Sequence, residues 1–453
     1  MWTYIRKEHV DEYLHQHSKL NDMFNQICLL ETQDACFLPR LMVVNYPSEN
    51  LIQYNGKKIV EAETASFRFK GTLRPNQIPI VKSVFDYYQK NGIVNGIVKA
   101  RPGIGKTVMA VYISSKMGLK TCIVVDNSNL MEQWIKAIYD FTDLTENDIG
   151  IIKQKLTVTN KPVTVAMCQS LLSKLKGNIK SAFEFVDESR FGLVFYDEVH
   201  STSASENYAK ASLLFRTRNI IGLSATPFQT GAQEILMKNT IGNIIYETNE
   251  YEIKPRYFLV YYDSGLGNKE TTPGGKDYSK MLMRSGDFIR RKAMYNKIII
   301  QSETYLRLIS TYTKNLVSKD HRVIIICFTK KQVQIISERL TQLGVENRRY
   351  YGEERELDKE TDTVLVVTYS FCGKGFDFKQ LSALIYATPL AGKKSIIQTT
   401  GRILREADGK RQPIVVDLVD MAFPFISLKD VKIKVPVIQN EFQIPIEEHR
   451  EGI

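Results

Sequence analysis

The chain has 453 residues, of which 43% are hydrophobic and 25% are charged. This length exceeds what one ordinary hydrophobic core holds and indicates two or three domains, while the composition excludes a disordered chain. No apolar run approaches the roughly 20 residues that span a bilayer, and no apolar signal segment follows the first residues. The sequence therefore predicts a soluble, intracellular protein that does not bind membranes, located in the cytoplasm or, for a viral protein, in the host cytoplasm.

The formal net charge of +11 is mild evidence for a polyanionic partner. The basic excess is concentrated in residues 254–297, which hold ten Lys or Arg against four Asp or Glu, whereas residues 1–66 are slightly acidic. A basic segment is also typical of ordinary solvated surface. Charge alone therefore leaves open whether this segment contacts nucleic acid.

After a mixed N-terminal segment, short apolar strands alternate with amphipathic helices in two long stretches. Such alternation predicts parallel, doubly wound sheets. Between the two stretches, residues 262–286 are polar and rich in turn-forming residues, which is typical of a linker or an exposed insertion. The predicted domains are an N-terminal accessory domain (1–66), a first lobe (67–250), a basic linker or insertion (251–295), a second lobe (296–425) and a C-terminal tail (426–453).

A glycine-rich loop, Ala-Arg-Pro-Gly-Ile-Gly-Lys-Thr at 100–107, follows an apolar strand and begins a helix. The glycines let backbone N–H groups approach phosphate oxygens, and the helix N-terminus adds partial positive charge. The lysine is positioned to neutralise the β and γ phosphates, and the threonine hydroxyl to hold Mg²⁺. Alanine stands at 100, where the strict pattern has glycine. The predicted phosphate-binding residues are Pro102, Gly103, Ile104, Gly105, Lys106 and Thr107.

A second motif, Asp-Glu-Val-His at 197–200, ends an apolar strand. Carboxylates at the carboxyl end of a strand lie at the crevice where open α/β sheets bind ligands. Asp197 is predicted to contact Mg²⁺, and Glu198 to orient and deprotonate an attacking water. An acid pair that caps a turn is the alternative, and it loses weight because a phosphate loop precedes this motif.

Together these residues resemble superfamily 2 helicases and translocases in the DExH form, and further segments follow in the order of that family. The resemblance implies a fold of two tandem RecA-like lobes that use ATP and Mg²⁺. It also implies adenine recognition by the Leu73–Gln77 segment and coupling of hydrolysis to lobe movement by the Ser224–Pro227 segment. The residues implied are Arg74 and Gln77 for the base, and His200, Ser224 and Thr226 for coupling.

In the second lobe the resemblance places Gly375 and Asp377 against ATP and ends in the segment Gln398–Arg405. On one continuous helix, residues 398, 402 and 405 share a face. Gln398, Arg402 and Arg405 are therefore predicted to point together at the γ-phosphate, where arginines stabilise developing charge.

The resemblance is greatest to phage and repair branch-migration helicases. It favours a monomeric DNA helicase that tracks a single strand and remodels forked or branched DNA in replication, recombination or repair, with RNA the less favoured substrate. The alternatives are a transcript-release or RNA-directed ATPase, a restriction-type translocating subunit and a non-catalytic ATP-dependent clamp. The predicted nucleic-acid contacts are Asn127, Ser128, Gln169, Arg290, Arg291, Thr329 and Thr368.

Overall fold

The computed structural model places the chain in two compact units, Met1–Thr248 and Asn249–Ile453. No helix within the described part of the chain is both long enough and apolar enough to cross a bilayer. The described residues are 2–54, 62–175, 179–199, 202–225, 227, 231–248, 251, 253–268, 270, 272, 275–351, 362–372, 378–390 and 392–452.

The first unit begins with a small antiparallel sheet in the order β2-β3-β1-β4. Its strands are β1 (Trp2–Arg6), β2 (Leu30–Glu31), β3 (Ala35–Leu38) and β4 (Leu51–Tyr54). Three short helices accompany it: α1 (Val10–Gln16), α2 (Phe24–Ile27) and α3 (Met42–Asn45).

This N-terminal sheet shares one hydrophobic core with a face of the larger sheet that follows it in the first unit. The guanidinium of Arg40 lies between them, with Nε donating to Thr240 O at 3.0 Å and Nη1 donating to Thr217 O at 2.8 Å. The side-chain amide of Asn45 donates to Asn239 Oδ1 at 3.0 Å. The accessory segment is thus packed on the first lobe by buried apolar side chains and by hydrogen bonds.

The large sheet of the first unit has the order β12-β5-β11-β10-β6-β9-β7-β8, and its strands are parallel except for β8. Residues of the central strands are almost all buried, as expected for a parallel sheet covered on both faces. The strands are β5 (Asn95–Ala100), β6 (Thr121–Val125), β7 (Ile149–Lys153), β8 (Leu156–Thr157), β9 (Val163–Met167), β10 (Leu193–Asp197), β11 (Asn219–Ser224) and β12 (Ile244–Thr248).

Helices accompany this sheet, and the crossovers between its parallel strands run through them. Capping residues fix the ends of several: Gly118 adopts φ 63° after α5, and the Asn127 side chain accepts from Leu130 N at the start of α6. The helices are α4 (Ile78–Asn91), α5 (Lys106–Met117), α6 (Ser128–Phe141), α7 (Cys168–Leu175), α8 (Ile179–Ser189), α9 (Thr202–Ala211) and α10 (Gly231–Thr240).

The second unit is built on a fully parallel sheet in the order β15-β16-β14-β17-β18-β13-β19. Its strands are β13 (Arg256–Tyr262), β14 (Val323–Cys327), β15 (Arg348–Tyr350), β16 (Val364–Thr368), β17 (Ala383–Tyr386), β18 (Ile414–Asp420) and β19 (Ile446–Glu451). Its helices are α11 (Tyr278–Arg284), α12 (Phe288–Ile298), α13 (Glu303–Val317), α14 (Lys330–Gln342), α15 (Tyr369–Cys372), α16 (Lys393–Arg402) and α17 (Pro424–Phe442).

Two segments that the sequence analysis placed outside the second lobe belong to its sheet. Within the predicted linker 251–295, the apolar run of β13 pairs with β18 on one side and with β19 on the other. The predicted tail 426–453 supplies most of α17 and all of β19. The interpretation of these segments as linker and tail was wrong for β13, α17 and β19. The charged and turn-forming residues around the two strands made the sequence resemble exposed loops.

Candidate functional site

Three strands of the first unit end side by side. β11 lies between β5 and β10, so the carboxyl ends of all three meet at one edge of the sheet. This edge brings together the glycine-rich loop after Ala100, the buried Ser224 at the end of β11, and Asp197 at the end of β10. The crossovers of the fold therefore assemble three segments that are far apart in the sequence.

The glycine-rich loop turns back on itself through glycines with positive φ. Gly103 has φ 82° and Gly105 has φ 91°, a backbone region that favours glycine. Lys106, the first residue of α5, directs Nζ back across the loop to donate to Ala100 O at 3.2 Å and Arg101 O at 3.5 Å. The ammonium group thus lies over the loop whose backbone N–H groups were predicted to cradle phosphate.

Gln77 supports this loop from behind. Its side chain is buried, with Oε1 accepting from Arg74 N at 2.9 Å and Nε2 donating to Ile104 O at 2.7 Å. A Cβ on Gly105 would lie only 2.3 Å from Gln77 Nε2, so close packing as well as φ requires glycine there. Gln77 therefore holds the glycine-rich loop in place. The sequence predicted only base recognition for Gln77 and not this contact.

Asp197 is held from two other elements. Its Oδ2 accepts from Trp134 Nε1 at 2.8 Å, and its backbone carbonyl accepts from the Tyr208 hydroxyl at 2.7 Å. Burial and the neighbouring Glu198 carboxylate raise the pKa of Asp197 to about 7, while the bond from Trp134 and the charge of Lys106 oppose that rise. Neither Trp134 nor Tyr208 was predicted from the sequence, although Trp134 lies on α6, which begins at the predicted contact Ser128.

Glu198 follows directly and has φ 55°, a left-handed conformation that costs a non-glycine residue roughly 1 kcal/mol or more. Asp197 is buried, and Glu198 is partly exposed as a residue although its Oε2 is buried. Strain of this kind is concentrated at functional sites. His200 and Thr226 lie outside the described residues.

In the second unit, the predicted arginine segment is only partly helical. α16 ends at Arg402, and the chain then tightens through bonds from Ile403 N to Thr400 O at 3.1 Å and from Leu404 N to Gly401 O at 3.3 Å. Arg405 therefore lies beyond the helix, and the same-face prediction from helical spacing was wrong for it. The buried side chains of Ile403 and Leu404 explain the turn, because they direct the chain into the core.

The described part of Gln398–Arg405 is anchored from inside the second unit. The hydroxyl of Tyr386, at the end of β17, lies 2.5 Å from Thr399 Oγ1 and 2.9 Å from Thr400 Oγ1. Beneath the Tyr386 ring, 4.6 Å from its centroid, is the buried ammonium of Lys434. These contacts join α16 to the middle of α17.

Lys434 completes this anchor with two buried carboxylates. Its Nζ lies 2.9 Å from both oxygens of Asp417 and 2.8 Å from Asp430 Oδ2. Burial alone lowers the pKa of Lys434, but the two carboxylates outweigh it and raise the pKa above its ordinary value. Tyr257 adds a bond from its hydroxyl to Asp417 Oδ2 at 2.8 Å. The cluster was not anticipated from the sequence, since its members are spread along 257–434.

The predicted nucleic-acid contacts are placed in different environments. Asn127 and Thr329 are helix N-caps, whose side chains accept from Leu130 N and Gln332 N. Ser128 begins α6, Gln169 is exposed on α7, and Thr368 is buried at the end of β16. On α12, Arg290 is exposed and Arg291 is partly so. Gly375 and Asp377 lie outside the described residues.

Comparison with known proteins agrees with this arrangement. Residues 70–229 match the family model "Type III restriction enzyme, res subunit". "Putative helicase 161L" of Invertebrate iridescent virus 6 is 28% identical over 370 residues, covering 78% of each chain. "Putative ATP-dependent RNA helicase L396" of Acanthamoeba polyphaga mimivirus is 28% identical, covering 78% of this chain and 65% of the relative. "DNA 3'-5' helicase XPB" of Mycobacterium tuberculosis is 30% identical, covering 48% and 38%.

Among solved structures, Saccharomyces cerevisiae Dbp5 bound to RNA and ADP BeF3 is similar in fold, with a TM-score of 0.51 at 14% identity, covering 83% of this chain and 94% of Dbp5. The predicted fold of two RecA-like parallel-sheet lobes is confirmed. So are the resemblance to superfamily 2 helicases and the prediction of an ATP-hydrolysing enzyme. The chain is thus an ATP-hydrolysing enzyme that is similar to helicases.

The contact between Tyr386 and α16 gives a testable expectation. Tyr386→Phe removes the hydroxyl that bonds Thr399 and Thr400, and so loosens the helix that carries Arg402. Because Arg402 is predicted to act on the γ-phosphate, and small misplacements of such groups are costly, we expect kcat for ATP hydrolysis to fall by about tenfold with KM nearly unchanged. Tyr312→Phe, which removes a hydroxyl bonded to Glu451 instead, is the matched control. A lowered melting temperature with unchanged kcat would limit Tyr386 to a structural role.

Proposed function

We propose that this chain is an ATP-dependent DNA helicase or translocase that unwinds or remodels forked and branched DNA in replication, recombination or repair. The observation that carries the proposal is the shared sheet edge where Lys106, Asp197 and Glu198 meet. The similarity to a relative named as a DNA 3'-5' helicase favours DNA. One functional lobe on each side of residue 250 is part of this proposal, with β13, α17 and β19 included in the second lobe.

ATP and Mg²⁺ fit the residues present. Mg²⁺ is usually bound through one or two carboxylates together with substrate phosphates, so few protein ligands are needed. The buried carboxylate of Asp197 and the hydroxyl of Thr107 are oxygen ligands of the right kind. When bound, the metal would offset negative charge on the phosphates and on the buried carboxylate of Asp197.

The residues of the first lobe have separate roles in ATP binding and hydrolysis. Lys106 neutralises the β and γ phosphates, and the loop glycines allow close approach of backbone N–H groups. Glu198 orients the attacking water and accepts its proton. Arg74 and Gln77 are assigned to the adenine base, and Gln77 also holds the loop through its bond to Ile104 O.

The second lobe supplies Gln398, Arg402 and Arg405, which act on the γ-phosphate when the lobes close. ATP then favours the closed state and ADP the open state, because a ligand shifts an equilibrium only through different affinities for its states. Ser224, with His200 and Thr226, couples that change to the nucleic acid. If each lobe holds the strand backbone, alternation between the two states produces stepping.

Contact with nucleic acid is assigned to both lobes. Asn127, Ser128 and Gln169 follow strands of the first sheet, and Thr329 and Thr368 lie at strand ends of the second. Arg290 and Arg291 extend this surface on α12. Phosphate contacts of this kind are largely independent of sequence and sensitive to salt.

The decisive experiment measures phosphate release by the purified chain with no nucleic acid, with single-stranded DNA and with RNA. Unwinding is then compared on 3′-tailed, 5′-tailed, forked and four-way-junction DNA and on an RNA duplex. Stimulation by DNA and unwinding of forks or junctions are expected. Stimulation by neither nucleic acid would remove the proposal.

A second candidate is an RNA-directed or transcript-release ATPase. It is favoured by the similarity over 78% of the chain to a relative named as an ATP-dependent RNA helicase. The RNA duplex in the same assay separates the two: unwinding of RNA with no activity on DNA substrates would favour the second candidate.

Replacing Glu198 by glutamine tests the assigned base. Glutamine keeps the size of the side chain but accepts no proton, so we expect hydrolysis to fall by about 10²–10⁴-fold while ATP binding is retained. Equilibrium binding of a labelled nucleotide and single-turnover hydrolysis measure the two effects separately. Glu132→Gln, on the exposed face of α6, is the control; turnover of Glu198→Gln at the control rate would exclude Glu198 as the base.

A further inference from the structure

A shallow groove lies on the second unit along the first turns of α17, and the first turn of α12 contacts it through Phe288. A cavity of about 440 Å³ is lined there by Pro424, Phe425, Leu428, Lys429 and Lys432. The ammonium of Lys429 lies 4.3 Å from the centroid of the Phe288 ring, which joins the α12 side to the α17 side. We call this surface the α12–α17 groove.

Large apolar side chains are exposed on α17, on α12 and on the neighbouring helix α11. Ile289 beside Phe288 is 75% exposed, Met283 on α11 is 55% exposed, and Ile433 on α17 is 37% exposed. Exposed apolar groups that cluster and are bordered by charged residues mark interaction surfaces more often than single exposed residues do.

The charges of these helices have one sign. The acidic residues within α11, α12 and α17 are Asp430 and Glu441, and both are buried. Asp277 and Asp287 precede α11 and α12 and accept backbone N–H bonds as N-caps. The basic residues that reach solvent on these three helices include Lys280, Arg284, Arg290, Lys429 and Lys432, and Arg291 is partly exposed.

The basic segment identified from the sequence is only partly available to a ligand. Lys292 is 8% exposed, and burial lowers its pKa to about 8. Its ammonium lies 5.7 Å from the centroid of the Phe328 ring, immediately before Thr329. α12 is therefore packed beside a predicted nucleic-acid contact, and α17 begins just after the carboxyl end of β18, at the same sheet edge.

We propose that the α12–α17 groove binds a single strand of nucleic acid, with bases against the apolar floor and phosphates held by the basic rim. The inference rests on the proposed function, and it adds a second binding surface for the nucleic-acid strand beside the contacts already assigned. A duplex presents phosphates while its base faces are stacked inside, so it would use the rim and leave the apolar floor uncovered. A single strand uses both, because its bases stack on apolar and aromatic side chains.

The charge test removes two rim lysines together. In Lys429→Gln/Lys432→Gln, binding of a fluorescent oligodeoxythymidine is measured against salt concentration, with thermal unfolding as the check on folding. Losing two phosphate contacts lowers the slope of log K against log salt by about 1.4 for a single strand. The matched control, Lys314→Gln/Lys319→Gln, removes two exposed lysines of the same unit on and just after α13, near the amino ends of the strands. Equal slopes for the two double variants would overturn the proposal.

The apolar test separates single strand from duplex. Ile289→Ser changes a side chain that contributes little to the core, and we expect it to weaken oligodeoxythymidine binding about threefold or more. Binding of a blunt DNA duplex should stay within the error of the wild type. An equal loss for both ligands, or no loss for either, would overturn single-strand binding in the groove.

The wild-type chain distinguishes this inference from the function on which it rests. If DNA stimulates ATP hydrolysis and the groove variants bind like their control, only the groove assignment fails. If neither DNA nor RNA stimulates hydrolysis by the wild type, the proposed function fails first, and the groove assignment fails with it.

Discussion

Replacing Lys106 by alanine is expected to abolish unwinding and to reduce ATP hydrolysis by at least about 10²–10³-fold, the effect of removing one preorganised electrostatic group from a reacting centre. The physical reason is the position of its ammonium, which lies over the loop within hydrogen-bonding distance of Ala100 O and Arg101 O. Phosphate release and strand separation measure the two losses.

Binding of DNA without nucleotide should survive in Lys106→Ala, because the predicted strand contacts lie on other elements. Lys116→Ala is the control, since Lys116 is exposed in the last turn of the same helix, α5. Hydrolysis by Lys106→Ala at the rate of this control would contradict the assigned phosphate grip.

Replacing Arg402 by alanine is expected to lower kcat by about 10³–10⁵-fold, which is the range for arginines that stabilise phosphoryl transfer. The effect on nucleotide binding should be much smaller, because the phosphate loop lies in the other unit. Arg402→Lys should restore little of the rate, since a lysine lacks the planar pair of donors. Steady-state hydrolysis and nucleotide binding give the two quantities.

Arg411→Ala is the matched control for Arg402→Ala, because Arg411 pairs with Asp320 at the surface of the same unit. The kcat of Arg405→Ala, measured in the same assay, shows whether the arginine beyond the end of α16 also contributes to ATP hydrolysis. A kcat for Arg402→Ala within about tenfold of the control would exclude Arg402 from stabilising the transition state.

Local sequence signals predicted much of the first unit. The apolar strand, glycine-rich loop and helix around 95–117 appear where the pattern placed them, and the acid pair lies at the end of β10. These elements were predictable because the signal for each one lies within a short segment. The contact of Trp134 with Asp197 was not, because it depends on the packing of α6 against a distant strand.

The second unit was harder to predict because its sheet is assembled from distant segments. β13 pairs with β18 and β19, which follow it by more than a hundred residues, and no local pattern indicates such a register. Helical spacing extended α16 to Arg405, but the burial of Ile403 and Leu404 ended the helix earlier. The burial of Lys434 was not predictable for another reason. A lysine among apolar residues usually indicates an exposed helix face, and its pairing with buried carboxylates is visible only in the folded structure.

The packing of the N-terminal sheet determines how this protein can be dissected. Cutting the chain at residue 66 would leave the carbonyls of Thr217 and Thr240 without the Arg40 donor and would uncover the apolar side chains that now meet the N-terminal sheet. The shortened protein would self-associate instead of behaving as a minimal motor. Any pull exerted on the N-terminal sheet would act through Arg40 on the segment just before β11 and on the end of α10.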